Sequence, residues 1–297
     1  MVKDFIGNVI FIHHSIVFQH KRSFQLVTTD FSVNSKKGIH FAIQLAQQSN
    51  CELIFFNAVA IFRPYIWDQI YYDQYEISEL NRNQKKLEQF IHGIYKKSKI
   101  PKTNYSCVCQ VGISVSNKII EYAKEVDADY LCVSTLGQGK LIQMIGSTAS
   151  ELISFCPVPI FVVPGNYKSK PIATICFASD LDNFKVEIKK VLDFSSSIKA
   201  KTNIVHYDYL VLLKEKKITW GKLIAKYQSD EVQFHLKELD SLYSLNSHIQ
   251  KYIANTKQSL LVTFTKQNRN WFNRVFLASK TRDLIFDTKT PLLVFRK

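Results

Sequence analysis

One aspartate stands where ligand chemistry is expected in an α/β sheet. Asp30 follows the short apolar run Phe24–Thr29, which predicts a strand that ends just before the carboxylate. In doubly wound sheets, ligands bind at the carboxyl ends of the strands, where the strand order reverses. A carboxylate there can accept hydrogen bonds from a ribose hydroxyl, a ring amine or a metal-bound water. The alternative is a capping role, in which Asp30 or Ser32 bonds free N–H groups of the next helix.

A glycine-containing loop after a later apolar strand is the second chemical element. It runs Ser134-Thr135-Leu136-Gly137-Gln138-Gly139, and Gly146-Ser147-Thr148 then opens a predicted helix. Glycines permit positive φ, so consecutive N–H groups can converge on an anion. The helix start adds its positive end and two hydroxyls. The pattern predicts a phosphate site, although Gly139 and Gly146 can equally serve as turn and N-cap residues.

Alternating strands and helices position these residues in the first half of the chain. In the helical stretch Val33–Gln48, apolar residues recur on one face, and Glu52–Ala58 is an apolar run typical of a strand covered on both sides. Such alternation predicts a parallel sheet with helices on both faces. The predicted strands are Phe24–Thr29, Glu52–Ala58, Tyr105–Gln110, Tyr130–Thr135 and Pro159–Val163, and the later helices are Ser114–Val126 and Ser147–Phe155.

The second half repeats this order, which indicates an internal duplication. Ser147, Leu152, Ile153, Pro159 and Val162 recur at one constant offset as Ser279, Leu284, Ile285, Pro291 and Val294. The run Thr28–Phe31 likewise matches Ala178–Leu181. We therefore predict an N-terminal extension (1–22), a first domain (23–164), a polar linker (165–170) and a second domain (171–297). The second domain's predicted helices include Lys185–Ser197, Leu210–Tyr227, Asp240–Asn255 and Phe272–Phe286.

The combined motifs resemble the universal stress protein (UspA-like) family in its tandem two-domain form. The likeness rests on the strand that ends in Thr-Asp-Phe-Ser, the glycine loop, Gly146-Ser147 and the Pro-led apolar strand, and it extends from about Lys21 to Lys297. It implies an α/β fold of two tandem Rossmann-like domains of the adenine nucleotide alpha hydrolase type. Each would be a five-stranded, mostly parallel sheet of order 3-2-1-4-5 with helices on both faces.

The resemblance also implies an ATP site, with Mg²⁺, in the first domain. By position, Thr28, Thr29, Asp30 and Ala58 would surround adenine and ribose, and Gly137, Gly146, Ser147 and Thr148 would meet the phosphates, with Gly139 in the same loop. Two features depart from the family pattern. Ser134 replaces the first glycine, and the spacing between Gly137 and Gly146 is one residue short. A serine held at positive φ costs about 1–2 kcal/mol relative to glycine, so the loop is expected to take another course.

The second domain resembles the family less. Its matching loop, Lys266 to Ala278, contains no glycine, so the anion cradle cannot form there in the same way. Trp271 and Phe272 either form a stacking surface for nucleobases or serve as the apolar staple of the last helix. By analogy with family dimers, the last strands Ile160–Val163 and Leu292–Phe295 would pair. That pairing predicts a pseudo-dimer within one chain, and a homodimer is a further option.

Composition narrows the function. The net charge of +14 is spread over predicted helix faces, which favours a solvated surface over nucleic-acid binding. No apolar run approaches the roughly 20 residues needed to cross a bilayer, and six cysteines lie mostly in apolar strands. We therefore expect a cytoplasmic protein with buried free thiols, no membrane partner and no signal peptide.

No catalytic constellation stands out in the sequence. His206 and His235 fall near strand ends, where they either approach Asp180 or are satisfied core or surface histidines. We predict a non-enzymatic stress-response or signalling protein that binds ATP or another adenine nucleotide in its first domain and signals to a protein partner that the sequence does not identify. The alternatives are a nucleotide-binding enzyme that transfers adenylyl or phosphoryl groups, with Lys140 near the loop, and a basic nucleic-acid-binding module.

Overall fold

Ten strands form one mostly parallel sheet within the residues that the computed structural model describes. These residues are 23–62, 64–98, 101, 103–135, 147–215, 217–265 and 289–296. The first five strands are β1 (Phe24–Thr28), β2 (Glu52–Ala60), β3 (Tyr105–Gly112), β4 (Tyr130–Ser134) and β5 (Ile160–Val163). The other five are β6 (Thr174–Ala178), β7 (Lys201–Asp208), β8 (Val232–Glu238), β9 (Leu260–Thr265) and β10 (Leu292–Arg296).

The helices lie between these strands in the order that the alternation predicts. In the first half they are α1 (Val33–Ser49), α2 (Gln69–Ser98), α3 (Val115–Glu125) and α4 (Ser147–Phe155). In the second half they are α5 (Phe184–Ser197), α6 (Leu210–Glu215), α7 (Lys217–Tyr227) and α8 (Leu245–Thr256). The predicted N-terminal extension and the predicted helix Phe272–Phe286 lie outside the described residues.

The strand order across the sheet is β3-β2-β1-β4-β5-β10-β9-β6-β7-β8. Each half therefore has the order 3-2-1-4-5 with parallel neighbours, and the predicted α/β class is confirmed. The two five-stranded sheets do not stay separate, however, because β5 and β10 pair antiparallel, with Leu293 opposite Phe161. This is the side-by-side arrangement of last strands that the family resemblance implies. It joins both halves into one continuous sheet.

Two apolar layers cover the faces of the sheet, and both extend across the junction. One layer packs α1, α2 and α5 against the strands, and the other packs α3, α4 and α8. Phe161 on β5 lies 5.7 Å from Phe194 on α5, measured between ring centroids. The predicted linker takes part as well, since Tyr167 is buried against Phe41 at 5.6 Å. The halves thus share a core as well as an edge.

Deletion of residues 288–297 should expose the sheet edges that β10 covers. β10 pairs with β5 on one side and with β9 on the other, so its loss leaves each of these largely apolar strands with one unpaired edge. Unpaired apolar strands are templates for intermolecular association. We expect the truncated protein to aggregate or to self-associate, as measured by soluble yield and by size-exclusion chromatography with light scattering. Deletion of Lys297 alone is the control, and a soluble, monomeric truncation would contradict the edge-covering role of β10.

Candidate functional site

A crevice of about 350 Å³ opens at the carboxyl ends of β1, β2 and β4. β1 lies between β2 and β4, so this is the point at which the strand order reverses and where α/β sheets bind ligands. The N-terminal turns of α1, α3 and α4 form its walls. Its lining includes six of the sequence-predicted site residues, namely Thr28, Thr29, Asp30, Ala58, Ser134 and Thr148.

A tight turn at the end of β1 sets the floor of the crevice. Phe31 has a φ of 66°, a conformation that side-chain-bearing residues rarely adopt. The turn is held because the Phe31 N–H donates to Thr29 Oγ1 at 3.0 Å, and because the Thr29 and Ser35 hydroxyls are bonded at 2.8 Å. The Asn57 side-chain amide also donates to the Thr29 carbonyl at 2.7 Å. The strand tip is thus fixed by the Thr29 side chain and by side chains from α1 and β2.

Asp30 lies at the exposed rim of the crevice. Its Oδ1 accepts a hydrogen bond from the Ser32 N–H at 2.9 Å. Burial raises the pKa of this carboxyl, but the bonds from Ser32 and Ser35 outweigh that effect and hold its pKa below the ordinary value. Ser32 is the N-cap of α1, with its Oγ accepting from the Ser35 N–H at 3.1 Å, so the capping alternative applies to Ser32. Asp30 is therefore a negatively charged acceptor at neutral pH.

Ser134 does not have the backbone strain that its position suggested. It lies within β4, paired with Val163, and it is not among the described non-glycine residues with positive φ. Its Oγ accepts the Gly38 N–H of α1 at 3.1 Å. A Cβ on Gly38 would come within 2.3 Å of that oxygen. The serine fits because α1 carries a glycine opposite it, and the expected strain cost at this position was wrong.

The remaining predicted loop residues lie mostly outside the described part of the chain. Gly137, Gly139 and Gly146 lie outside the described residues, and Ser147 is the first residue of α4. Asn57 and the apolar wall of Val115, Ile119 and Leu152 were missed by the sequence reasoning. The signal for Asn57 was a polar residue inside an apolar strand run, beside the predicted Ala58.

The second half repeats two of these strand-tip hydrogen bonds. The Leu181 N–H donates to Ser179 Oγ at 3.0 Å, and the Asp182 N–H donates to Asp180 Oδ1 at 3.1 Å. Leu181 has a φ of 63°, as Phe31 has in the first half. His206 takes the place of Asn57, with Nδ1 2.9 Å from the Ser179 carbonyl. His206 and Asp180 line one crevice, whereas His235 contacts Asn203 on β7.

The cysteines match the predicted buried thiols. All six are free, and all but Cys107 are buried. Burial, with the nearby Glu88 charge, raises the pKa of Cys107 to about 12 and that of Cys109 to about 11. These thiols are therefore protonated and unreactive at neutral pH. Among the described helices, none combines the length and apolar character needed to cross a membrane.

Comparison with family models gives a match over the first half of the chain. Residues 26–164 match the model of the universal stress protein family. A universal stress protein from Archaeoglobus fulgidus has the same fold, with a TM-score of 0.67, 13% identity, and coverage of 93% of this chain and 99% of its own. A functionally unknown protein from Pseudomonas aeruginosa PAO1 gives a TM-score of 0.59 at 14% identity, covering 93% of both chains. No curated protein sequence matches.

The fit between Gly38 and Ser134 can be tested with paired glycine substitutions. Gly38→Ala forces a methyl group against Ser134 Oγ and should destabilise the protein by about 1–3 kcal/mol, as overpacking does. Gly93→Ala on α2 is the matched control, because its Cβ meets nothing within 4 Å; it should stabilise by roughly 0.5–1 kcal/mol. Urea denaturation measures both values. Adding Ser134→Gly should restore most of the loss, and equal effects of the two alanine variants would refute the steric explanation.

Proposed function

We propose that this chain is a non-enzymatic stress-response or signalling protein whose first half binds an adenine nucleotide, because residues 26–164 match the universal stress protein family model. The observation that supports this function best is the crevice at the strand-order reversal. It combines one carboxylate with apolar walls and three helix N-termini. Its volume of about 350 Å³ lies within the roughly 300–1,000 Å³ usual for small-molecule sites.

The lining divides into surfaces that suit the two ends of a nucleotide. Val115, Ile119 and Leu152 offer an apolar wall for a base, and Asp30 offers an acceptor for ribose hydroxyls or a ring amine. Thr148 lies in the first turn of α4, where free N–H groups and the helix dipole favour phosphate. Gly137, Gly139, Gly146 and Ser147 stay proposed phosphate contacts from the sequence pattern.

Magnesium would enter with the nucleotide in this proposal. Among the described residues, no group of three His, Cys, Asp or Glu side chains converges to hold a metal ion. In this proposal the nucleotide phosphates coordinate the Mg²⁺. The ion would neutralise phosphate charge at the Thr148 end of the crevice.

Signalling would follow from selection between loop conformations. Nucleotide that fills the crevice between Asp30 and Thr148 would favour one arrangement of the segment between β4 and α4, and a protein partner would bind that arrangement. Asp30 is the one titratable residue among the described lining residues. General acid–base catalysis uses positioned titratable side chains, so the described lining favours binding over group transfer. The cytoplasmic location and a homodimer stay predictions.

Asp30→Ala should weaken ATP binding by roughly 10- to 100-fold, because hydrogen bonds to a charged group contribute about 1.5–3 kcal/mol. Isothermal titration calorimetry with Mg-ATP measures the affinity. Asp180→Ala, at the same position of the duplicated strand tip, is the matched control and should leave the affinity unchanged. Because the Asp30 pKa lies below its ordinary value, its contribution should persist from about pH 8 down to about pH 5.

The outcomes of this titration separate the proposal from its rivals. Equal affinity in the parent protein and in Asp30→Ala would contradict the assigned site. Turnover of ATP that disappears in Asp30→Ala and Lys140→Ala would instead indicate a transferase. Oligonucleotide binding that weakens steeply with salt would indicate a nucleic-acid-binding module.

A further inference from the structure

The two outer strands of the ten-stranded sheet, β3 and β8, each have one side without a partner strand. Successive residues of a strand direct their N–H and C=O groups to alternate sides. The Leu53 N–H donates to the Asn104 C=O, so the even-numbered residues of β3 bond β2 and the odd-numbered ones face outward. The Thr202 N–H donates to the Glu231 C=O, so on β8 the even-numbered residues face outward. Outward groups of this kind can pair with another strand.

Gln84 on α2 closes the middle of the β3 edge. Its Nε2 donates to the Cys107 C=O at 2.8 Å, and its Oε1 accepts the Cys109 N–H at 3.0 Å. Both backbone groups belong to outward-facing residues. The side-chain amide therefore makes the two bonds that the peptide group of a neighbouring strand would make. The chain itself thus occupies this edge of the first half.

The duplication identifies the corresponding groups on β8. Asn57 lies opposite Cys109 on β3, and its counterpart His206 lies opposite Leu236 on β8, so Leu236 corresponds to Cys109. Within the described residues, neither the Leu236 N–H nor the C=O of Phe234, two positions earlier, makes a hydrogen bond. The helices beside this edge, α6 and α7, have 6 and 11 residues, whereas α2 has 30. The pair of groups that an amide occupies on β3 is thus open on β8.

β8 is held firmly enough to serve as a template. It pairs with β7 along its whole length, and its side chains pack on both faces of the sheet. The Phe234 ring lies 5.7 Å from the Phe184 ring on α5, and the His235 ring lies 5.4 Å from the Tyr252 ring on α8. The strand contains no proline, and its lysine and glutamate are confined to its last two positions. It therefore has little of the charge and none of the proline that block exposed edges.

A second copy of the chain can pair with this edge about a twofold axis. In an antiparallel pair, two residues that lie opposite each other exchange both of their backbone hydrogen bonds. Outward-facing residues must therefore meet outward-facing residues. Phe234 opposite Leu236 of the second copy occurs twice under the twofold axis, which gives four hydrogen bonds. His235 then lies opposite itself, in the pair between them.

The side chains of β8 favour this register over its neighbours. Aromatic–aliphatic pairs across two strands are stabilising, whereas like charges directly opposite each other are destabilising. A shift by two residues places Phe234 opposite Glu238, and a shift by four places Lys237 opposite itself. A shift in the other direction needs Val232, whose backbone groups already bond Ser229. The register with Phe234 opposite Leu236 avoids all three.

We propose that β8 is the interface of a homodimer in which the β8 strands of two copies pair antiparallel. Four backbone hydrogen bonds and two Phe234–Leu236 contacts join the copies, while Gln84 prevents the same pairing at β3. The chain already joins its own halves in this way, through the antiparallel pairing of β5 with β10. The interface lies outside the nucleotide crevice and does not depend on nucleotide binding.

Sedimentation velocity of the full chain tests the interface over roughly 1–300 µM, a range that detects weak dimers. A monomer–dimer equilibrium is expected. Leu236→Pro removes an outward-facing N–H from each copy, so two of the four bonds are lost and the dimer should weaken at least tenfold. Proline is tolerated at such an edge position, and circular dichroism checks the fold. Val111→Pro, at an outward-facing position of β3, is the matched control and should dissociate within twofold of the parent.

Two outcomes would overturn the proposal. A chain that stays monomeric over the whole range leaves the β8 edge to an extended segment of another protein. Equal weakening in Leu236→Pro and Val111→Pro would place the interface elsewhere. ATP binding is measured separately, and its absence would leave this result unchanged.

His235→Cys tests the register and decides the question if Leu236→Pro unfolds. Directly opposite residues between two hydrogen-bonded pairs have Cα atoms about 4.5 Å apart, a distance that a disulfide can bridge. Mild oxidation should therefore give a covalent dimer on a non-reducing gel. Val108→Cys, at the corresponding position of β3, is the control and should stay monomeric on the gel. No cross-link in His235→Cys, or equal cross-links in both variants, would overturn the proposed pairing.

Gln84→Ala tests why the two edges differ. The substitution uncovers the Cys107 C=O and the Cys109 N–H, so each copy has two open edges and can bind a neighbour on both sides. We expect species larger than a dimer in sedimentation velocity. Gln84→Ala combined with Leu236→Pro has one intact open edge, at β3, and should form no species larger than a dimer. The parent's distribution of masses in Gln84→Ala would contradict the closing role of Gln84.

Discussion

The turn at the tip of the first strand of each half is the constraint on which both crevices depend. In each turn a hydroxyl accepts a hydrogen bond from the N–H of a residue with positive φ. The Phe31 N–H donates to Thr29 Oγ1, and the Leu181 N–H donates to Ser179 Oγ. Such a conformation costs about 1–2 kcal/mol for a residue with a side chain. The hydroxyl bond and the bond from β2 or β7 offset that cost. The acidic residue between them is thereby held at the rim, outside the sheet.

The pairing of β5 with β10 explains why the two halves form one body. An open parallel sheet leaves an unpaired edge, and here each half covers the edge of the other. The shared core reinforces the junction, since Gln48 on α1 exchanges two hydrogen bonds with the backbone of Ile172. Both crevices open at the carboxyl ends of their own strands, so the junction fixes their positions without contributing to their lining.

Local patterns predicted the alternating strands and helices and the duplication, because apolar runs and prolines are visible in the sequence, and the family resemblance supplied the strand order and the last-strand pairing. Features that depend on distant contacts were not predictable. The fit of Ser134 against Gly38 joins residues 96 positions apart. One local prediction was also wrong: the helix expected from Asp240 begins at Leu245, because Asp240 Oδ1 accepts the Leu242 N–H and Ser244 caps the helix. The burial of Tyr167 could not be predicted, because this residue lies in a polar segment of the sequence.

The same distinction applies to the candidate sites. The place of Asp30 at the strand tip was predictable because a strand followed by an acidic residue is a local pattern, whereas the hydrogen bond of His206 depends on its register opposite Ser179. A backbone scaffold held by strand-tip hydroxyls tolerates change at the neighbouring strand ends. Asn57, Ala58 and Val59 could therefore be replaced by His206, Tyr207 and Asp208 without loss of the turn. Duplication preserved the turn at the strand tip, and the strand ends of β2 and β7 give the two crevices different side chains.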